Sequence, residues 1–416
     1  MSSTTIALGA VLRQLTLAVV FAGGCGESQS PDSAPPDAPA GAKSVPLVFE
    51  DVNVIAMTSD AILPGRTVVI SDGRIAAIGD RTITRPPGAI VISGRGRYLL
   101  PALIDMHVHI RTPDVGKYVS FGITTVRNMW GWQGLQALAT QIDRGEVVGP
   151  RIISASPGLD GLPVQWPETR VVMTTADVPA AVNDQVQAGW RYLKVYTRLS
   201  RENYQAIMAE ARAAGIPVVG HVPWAVPIEE ALALGQTSIE HLTGYEMRFS
   251  RSGRTGTLAW LDANPALYSN LAQASARAGV WNCPTLAIYS ALAQQHTAAE
   301  HDEIVRQRGA FVLELHRAGA KLLAGSDAGI GVVEPGAVLH AELAELVAAG
   351  LTPYQALRAS TIDAAEFLGI PQLGTVAVGA PADLLLVDGN PLANIARLRQ
   401  FDGLVQRGAW TPAGPH

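Results

Sequence analysis

Along most of the chain, short apolar runs alternate with stretches in which apolar side chains recur every three or four positions. The first pattern reads as buried strand and the second as amphipathic helix. Strands are expected over residues 103–109, 123–127, 151–155, 192–196, 217–221, 238–242, 280–286 and 321–327. Helical stretches fall between them, over 201–214, 228–234, 300–318 and 342–349, followed by a helix over 353–368 with Thr352 as N-cap and Pro353 at its first position. Several end in Ala-Gly, at Gly215, Gly279, Gly319 and Gly350, where glycine can take the left-handed C-cap. Eight alternations across 101–370 suit a (β/α)8 barrel of about 250 residues.

The pattern differs at both ends. Residues 45–49, 52–56, 67–70 and 75–78 are short β-prone runs, with Asp72-Gly73 as a hairpin signal. After Gly369 the texture is β-like again, over 374–379, 382–389 and 403–408. The fold class is therefore α/β: a TIM-type barrel (101–370) with a small β-sandwich domain formed from both termini (45–100 and 371–416).

The first residues differ again. One Arg (Arg13) precedes the apolar run 15–22 and Gly23-Gly24-Cys25. The run is shorter than the roughly 20 residues needed to span a bilayer and suits a secretory segment. Ala22-Gly23-Gly24-Cys25 resembles a bacterial lipobox, which assigns 1–25 to a signal peptide with lipidation at Cys25 and 26–44 to a flexible tether. An ordinary cleaved signal is the alternative. The expected location is exported, either anchored through Cys25 or free in the periplasm or outside the cell.

Composition narrows the function. Hydrophobic residues make up 48% and charged residues 16%, enough apolar surface for a large core. A net charge of −5 gives no basic excess for nucleic acid, and membrane contact is expected only through the anchor. Cys25 and Cys283 cannot form a disulfide framework or a cysteine zinc site, so any metal must be held by His, carboxylate or a less usual ligand. Cys283, in an apolar strand, reads as core.

The ligand-type side chains cluster at strand ends. His107 and His109 stand two apart and so share a strand face. Lys194, His221, His241 and Asp327 lie towards the C-terminal ends of the fourth, fifth, sixth and eighth strands. In a barrel those ends converge on the face where active sites are built. Weaker candidates for substrate contact are Tyr196, Tyr245, His340 and Arg127, with Trp130, Trp132, Trp166 and Trp224 as pocket walls. His296, His301, His316 and His416 read as solvated, and residues 157–174 show no readable pattern.

From residue 45 onward the chain resembles the amidohydrolase superfamily. The resemblance is carried by residues 100–109, 122–127, 193–196, 219–221, 238–241, 324–329 and the closing segments 379–384 and 389–392. It is similar in particular to the imidazolonepropionase-like and Xaa-Pro-dipeptidase-like (prolidase-like) branch. The resemblance implies two divalent metals, zinc by default: His107, His109 and Asp327 for one, His221 and His241 for the other. A CO2-derived carbamate on Lys194 would bridge them, since an ammonium beside two dications is disfavoured. It further implies a metal-activated water, with Asp327 as proton acceptor and then donor. The expected substrate is a small molecule with an amide or peptide-like C–N bond, such as a dipeptide or N-acyl amino acid. A cyclic amide, lactone or ester hydrolase is the enzymatic alternative, and a catalytically inactive periplasmic binding protein the alternative of another class. Homo-oligomerisation is also expected.

Overall fold

The structure is a computed structural model that describes residues 45–370 and 372–413. Cys25, the secretory segment and the tether lie outside the described residues, as does His416.

The chain begins with β1 (Leu47–Ile55), β2 (Ile62–Ser71), β3 (Arg74–Gly79), β4 (Ile90–Ser93) and β5 (Tyr98–Pro101). It then runs through β6 (Leu103–Val108), β7 (Ile123–Asn128), β8 (Arg151–Ser154), β9 (Leu159–Asp160), β10 (Arg170–Val171), β11 (Leu193–Val195), β12 (Val218–Gly220), β13 (Ser238–Glu240), β14 (Trp281–Cys283) and β15 (Lys321–Leu322). It closes with β16 (Leu384–Val387), β17 (Phe401–Gln406) and β18 (Ala409–Pro412). The helices are α1 (Val115–Ser120), α2 (Leu135–Asp143), α3 (Val178–Gln187), α4 (Arg201–Ala214), α5 (Ile228–Leu234), α6 (Tyr245–Phe249), α7 (Tyr268–Ala278), α8 (Leu286–Ala293), α9 (Ala298–Arg317), α10 (Ala337–Ala348), α11 (Pro353–Ala359) and α12 (Ile362–Leu368).

The middle of the chain is an α/β array of parallel strands. One sheet has the order β6-β7-β8 and another β10-β9-β11-β12-β13-β14-β15. Parallel bridges join them at both edges, Ala155 to Tyr192 and Val108 to Ala328. The second join is reinforced by Met106 N–H to Ala324 O (2.9 Å), Asp327 N–H to His107 O (2.7 Å) and His109 N–H to Ala328 O (2.7 Å). All six residues of β6 are buried, as expected for a parallel strand covered on both sides.

Strands from both ends of the chain share one further sheet, ordered β18-β17-β16-β5-β1-β2-β3, with β4 beside β1. Its central strands bury both faces. Leu99, Leu384 and Leu386 point into a core with Leu47, Phe49, Val68 and Ile70. Their neighbours Leu100, Leu385 and Val387 point the other way, into the main core. Period-two alternation thus makes this sheet a shared wall.

Several boundaries differ from the sequence expectation. Residues 45–49 and 52–56 form one strand, bent where Asp51 takes a positive φ of 57°. Residues 374–379 form turns, not a strand, because the backbone there pairs piecemeal, Val376 N–H with Ala56 O and Gly379 N–H with Ile75 O. The helix expected over 353–368 is broken into α11 and α12. Ile104 N–H bonds Ser360 O (2.8 Å) and Ser360 Oγ donates to Ile104 O (2.9 Å), so β6 takes over groups that a continuous helix would use itself. Residues 157–174, unpatterned in sequence, supply β9 and β10, and β9 pairs with β11.

Candidate metal centre

At the C-terminal ends of these strands the backbone turns through an unusual conformation. His241 (φ 61°), Thr285 (48°) and Asp327 (54°) are non-glycine residues in the left-handed region. Such residues are uncommon and cluster where surrounding structure forces them. At His241 the turn has a visible result. Neighbours on a strand point to opposite faces, yet both the Glu240 and the His241 side chains reach the same buried cluster.

His107, His109 and Asp327 meet here. Asp327 Oδ1 lies 3.3 Å from His107 Nε2 and 3.1 Å from His109 Nε2, and Asp327 Oδ2 lies 3.9 Å from His241 Nε2. The His107 and His241 rings are 4.5 Å apart between centroids, and those of His241 and His221 4.9 Å. Lys194 is buried beneath, its charge acting on Asp327 and Glu240. The structure therefore brings together the six side chains His107, His109, Lys194, His221, His241 and Asp327.

Burial controls their charge. It pushes His107 down to about 3 and holds His221 and His241 well below the usual imidazole range, so all three are neutral at pH 7. Burial also lowers Lys194 to about 8, against the opposing pull of Glu240 and Asp327. Asp327 is raised by burial but lowered more by the nearby His241 and His109, and it stays ionised.

This donor set fits divalent cations. One ligand atom from each of His107, His109 and Asp327 lies within 4.8 Å of the others. His107 Nε2, His221 Nδ1 and Asp327 Oδ1 are buried without a hydrogen-bond partner. Neutral imidazoles with a carboxylate are the ligand chemistry of zinc and its neighbours. A second trio, His107, Glu240 and Cys283, is also close enough to hold an ion. A cation already occupies that side: Arg127 Nη2 donates to Glu240 Oε1 (2.9 Å) and Oε2 (3.0 Å).

The weaker candidates separate. Tyr196 borders the centre, its ring 4.2 Å from that of His221, and its hydroxyl accepts from Trp166 Nε1 (2.8 Å). Trp130 meets Tyr196 edge-on at 5.3 Å. Trp224 is exposed, under the Arg198 guanidinium. Three others are engaged with protein groups. Arg127 is fully buried behind His107, committed to Glu240. Tyr245 packs on Phe249 and Phe311 and bonds Asn282 Oδ1, because positive φ at both His241 and Leu242 turns the chain aside before α6. His340 Nε2 bonds Phe121 O (2.9 Å) on the flank of α10.

Glu240, Thr285 and Tyr289 escaped the sequence reading. Glu240 Oε2 lies 2.7 Å from His107 Nδ1, Thr285 Oγ1 lies 2.6 Å from His241 Nδ1, and the Tyr289 ring stands 5.5 Å from that of His241. The one available signal was an acidic residue, Glu240, directly before His241 in an expected buried strand.

A family model described as "Amidohydrolase family" matches residues 98–408. Adenine deaminase 3 of Rhizobium meliloti (strain 1021) is 23% identical over 376 residues, covering 84% of this chain and 56% of the relative. An adenine deaminase of Chelativorans sp. (strain BNC1) is 29% identical over 208 residues, covering 45% and 33%. The chain thus spans between a third and just over half of the length of these curated relatives. Among solved structures, a bottromycin amidohydrolase superposes with a TM-score of 0.70 at 27% identity, covering 88% of this chain and 87% of that one. A prolidase complexed with N-methylphosphonate-L-proline gives 0.70 at 25%, covering 88% and 100%. A putative prolidase from Bifidobacterium longum gives 0.72 at 24%, covering 90% and 97%, a likeness of fold.

Proposed function

The chain belongs to the amidohydrolase family, and on that premise we propose that it hydrolyses amide or peptide-like C–N bonds of small molecules, such as a dipeptide or an N-acyl amino acid. The observation that carries this reading is the convergence of three imidazoles and a carboxylate, His107, His109, His241 and Asp327, on strand ends held in a strained backbone. The likeness to prolidase and amidohydrolase structures supports the substrate class.

The proposed architecture is a (β/α)8 barrel with a β-sandwich built from both termini. The two bridges between the parallel sheets and the mixed origin of the terminal sheet support it.

In the proposed mechanism, His107, His109 and Asp327 would hold one divalent ion and His221 and His241 a second, with zinc the default. Lys194, carbamylated by CO2, would supply a further anionic ligand. Its burial beside neutral imidazoles favours loss of the ammonium charge. The ions would supply Lewis acidity and lower the pKa of water. Asp327 takes a proton from the attacking water and returns it to the leaving amine, which its ionised state allows. Tyr196, Trp130 and Trp166 wall the mouth and exclude bulk water.

The adenine deaminase relatives favour a second reading, hydrolytic release of ammonia from an aminopurine. One experiment separates the readings. The full chain is assayed for bound metal and screened against dipeptides, N-acyl amino acids, lactones, aryl esters and adenine. About two divalent ions per chain with dipeptide or N-acyl turnover is expected. Turnover of adenine alone establishes the second reading, and absence of both metal and turnover overturns both.

We further infer export with a lipid anchor on Cys25, from the apolar run before it. Cys25→Ser is expected to free the protein from membranes.

A further inference from the structure

Beneath the centre lies a polar cluster that none of the proposed steps uses. Arg127, on β7, reaches across to β13. Its Nε donates to Met106 O (2.6 Å), its Nη1 to Ser238 Oγ (3.0 Å) and its Nη2 to both oxygens of Glu240. The Phe367 ring covers the guanidinium at 4.6 Å. Arg127, Ser238, Glu240 and His107 are all fully buried.

The hydrogen bonds of Glu240 can be counted. Oε1 receives Arg127 and the Ser238 hydroxyl, and Oε2 receives Arg127 and faces His107 Nδ1 at 2.7 Å. Arginine only donates, and the Ser238 hydroxyl is left to donate because its oxygen already accepts from Arg127. Three donations surround a carboxylate that carries no proton of its own. The contact with His107 can be a hydrogen bond only if the proton sits on Nδ1. Nε2 is then the bare nitrogen, and it is the atom beside Asp327 with no hydrogen-bond partner.

We propose that Glu240, clamped by Arg127 and Ser238, is the positioning residue that fixes His107 in its Nδ1–H tautomer and aims the Nε2 lone pair at the metal centre. A carboxylate behind a ligating imidazole fixes its orientation and raises its donor strength. Here Arg127 adds a restraint. By balancing the charge of Glu240 it keeps the proton on the imidazole, so that His107 stays a neutral ligand. Ser238 and Glu240, two apart on β13, share the inward face, which places both on Arg127. The alternative is that the Arg127–Glu240 pair is a strut between the two sheets, with no effect on His107.

The proposal rests on His107 as a metal ligand, so the test includes a readout that needs no metal. In metal-stripped full-length protein with 15N-labelled histidine, two-bond 1H–15N correlations report each tautomer, and the His107 signal is assigned by its loss in His107→Asn. The expected result is Nδ1–H for His107 in the wild type; a proton on Nε2 overturns the proposal, whether or not the protein binds metal. The second arm replaces the whole pair, Arg127→Met with Glu240→Met, because exchanging a buried ion pair for apolar side chains of similar volume often leaves stability unchanged. Titration with Zn2+ against a chromophoric chelator should show affinity lowered by about 10- to 100-fold, a loss expected for removing such a partner, with the thermal midpoint of the metal-free protein near that of the wild type. Unchanged affinity with a mixed or unchanged tautomer identifies the pair as a strut and overturns the proposal. A wild type that shows the Nδ1–H tautomer yet binds no metal instead overturns the function proposed above. Should the double variant fail to fold, the wild-type tautomer still decides.

Discussion

Asp327 is ionised, buried and bent into a left-handed backbone, and the proposed chemistry asks it to move a proton. Asp327→Asn keeps an oxygen donor but removes the proton acceptor. Turnover should fall by at least about 100-fold, the usual worth of a positioned general base, while metal analysis should show most of the metal retained; unchanged turnover would refute the role. A second titration lies outside the centre. Burial raises Glu246 and Glu342 to about 8, against an ordinary 4.5, and both flank the buried Arg308. The folded protein therefore binds protons at these sites that the unfolded chain has released. Their contribution is full below pH about 4.5 and is lost as pH rises towards 8. Urea midpoints should fall between pH 5 and pH 8, and should fall less in Glu342→Gln. At this scale much of the site was legible. His107, His109, His221, His241 and Asp327 stood at the ends of readable strands. Glu240 was not legible, because strict alternation sends it to the face opposite His241. Only the left-handed turn at His241 brings the two together.

Gly220 lies between Val219 and His221 with φ 128°, and an added Cβ would come within 2.2 Å of Val195 O. The tight approach lets β12 lie flat against β11 while the chain swings His221 inward. Gly220→Ala should cost about 1–3 kcal/mol from backbone strain alone, read as a lowered thermal midpoint, and should weaken metal retention through His221. A midpoint equal to that of the wild type would show that the strand ends tolerate movement. Element types were largely readable from periodicity, but their limits were not. The helix over 353–368 has unbroken helical periodicity, and nothing local marks Ser360 as the point where β6 captures the backbone. Residues 374–379 have strand-like composition yet find no continuous partner, since pairing is a property of the neighbour and not of the segment.

For the whole molecule, the terminal sheet is not a detachable module. Gln406 Nε2 donates to Gly149 O (2.9 Å) and Arg407 Nη1 to Ile142 O (2.8 Å), tying the last strands to the α2–β8 region. Leu385 and Val387 contribute to the main core. Removal of residues 371–416 should therefore leave an insoluble chain or one without a cooperative thermal transition by circular dichroism. A soluble truncated chain that melts cooperatively would show that the sheet is dispensable. The union of the two terminal β regions was legible as an expectation, from the matching β-like texture at both ends of the chain. Their strand order was not, since it depends on which residues meet across the whole length of the chain.

That order has a consequence for biosynthesis. Tyr98–Pro101 is wedged between β1, made before it, and β16, made only after the whole parallel-strand region. A growing polypeptide must carry this Leu-Leu edge without its second neighbour while everything from β6 to α12 is being synthesised. Unpaired edges of this kind invite pairing between nascent chains. Yield in cells should therefore depend on factors that shield emerging chains, and the segment carrying β16 acts as the latch that ends the exposure.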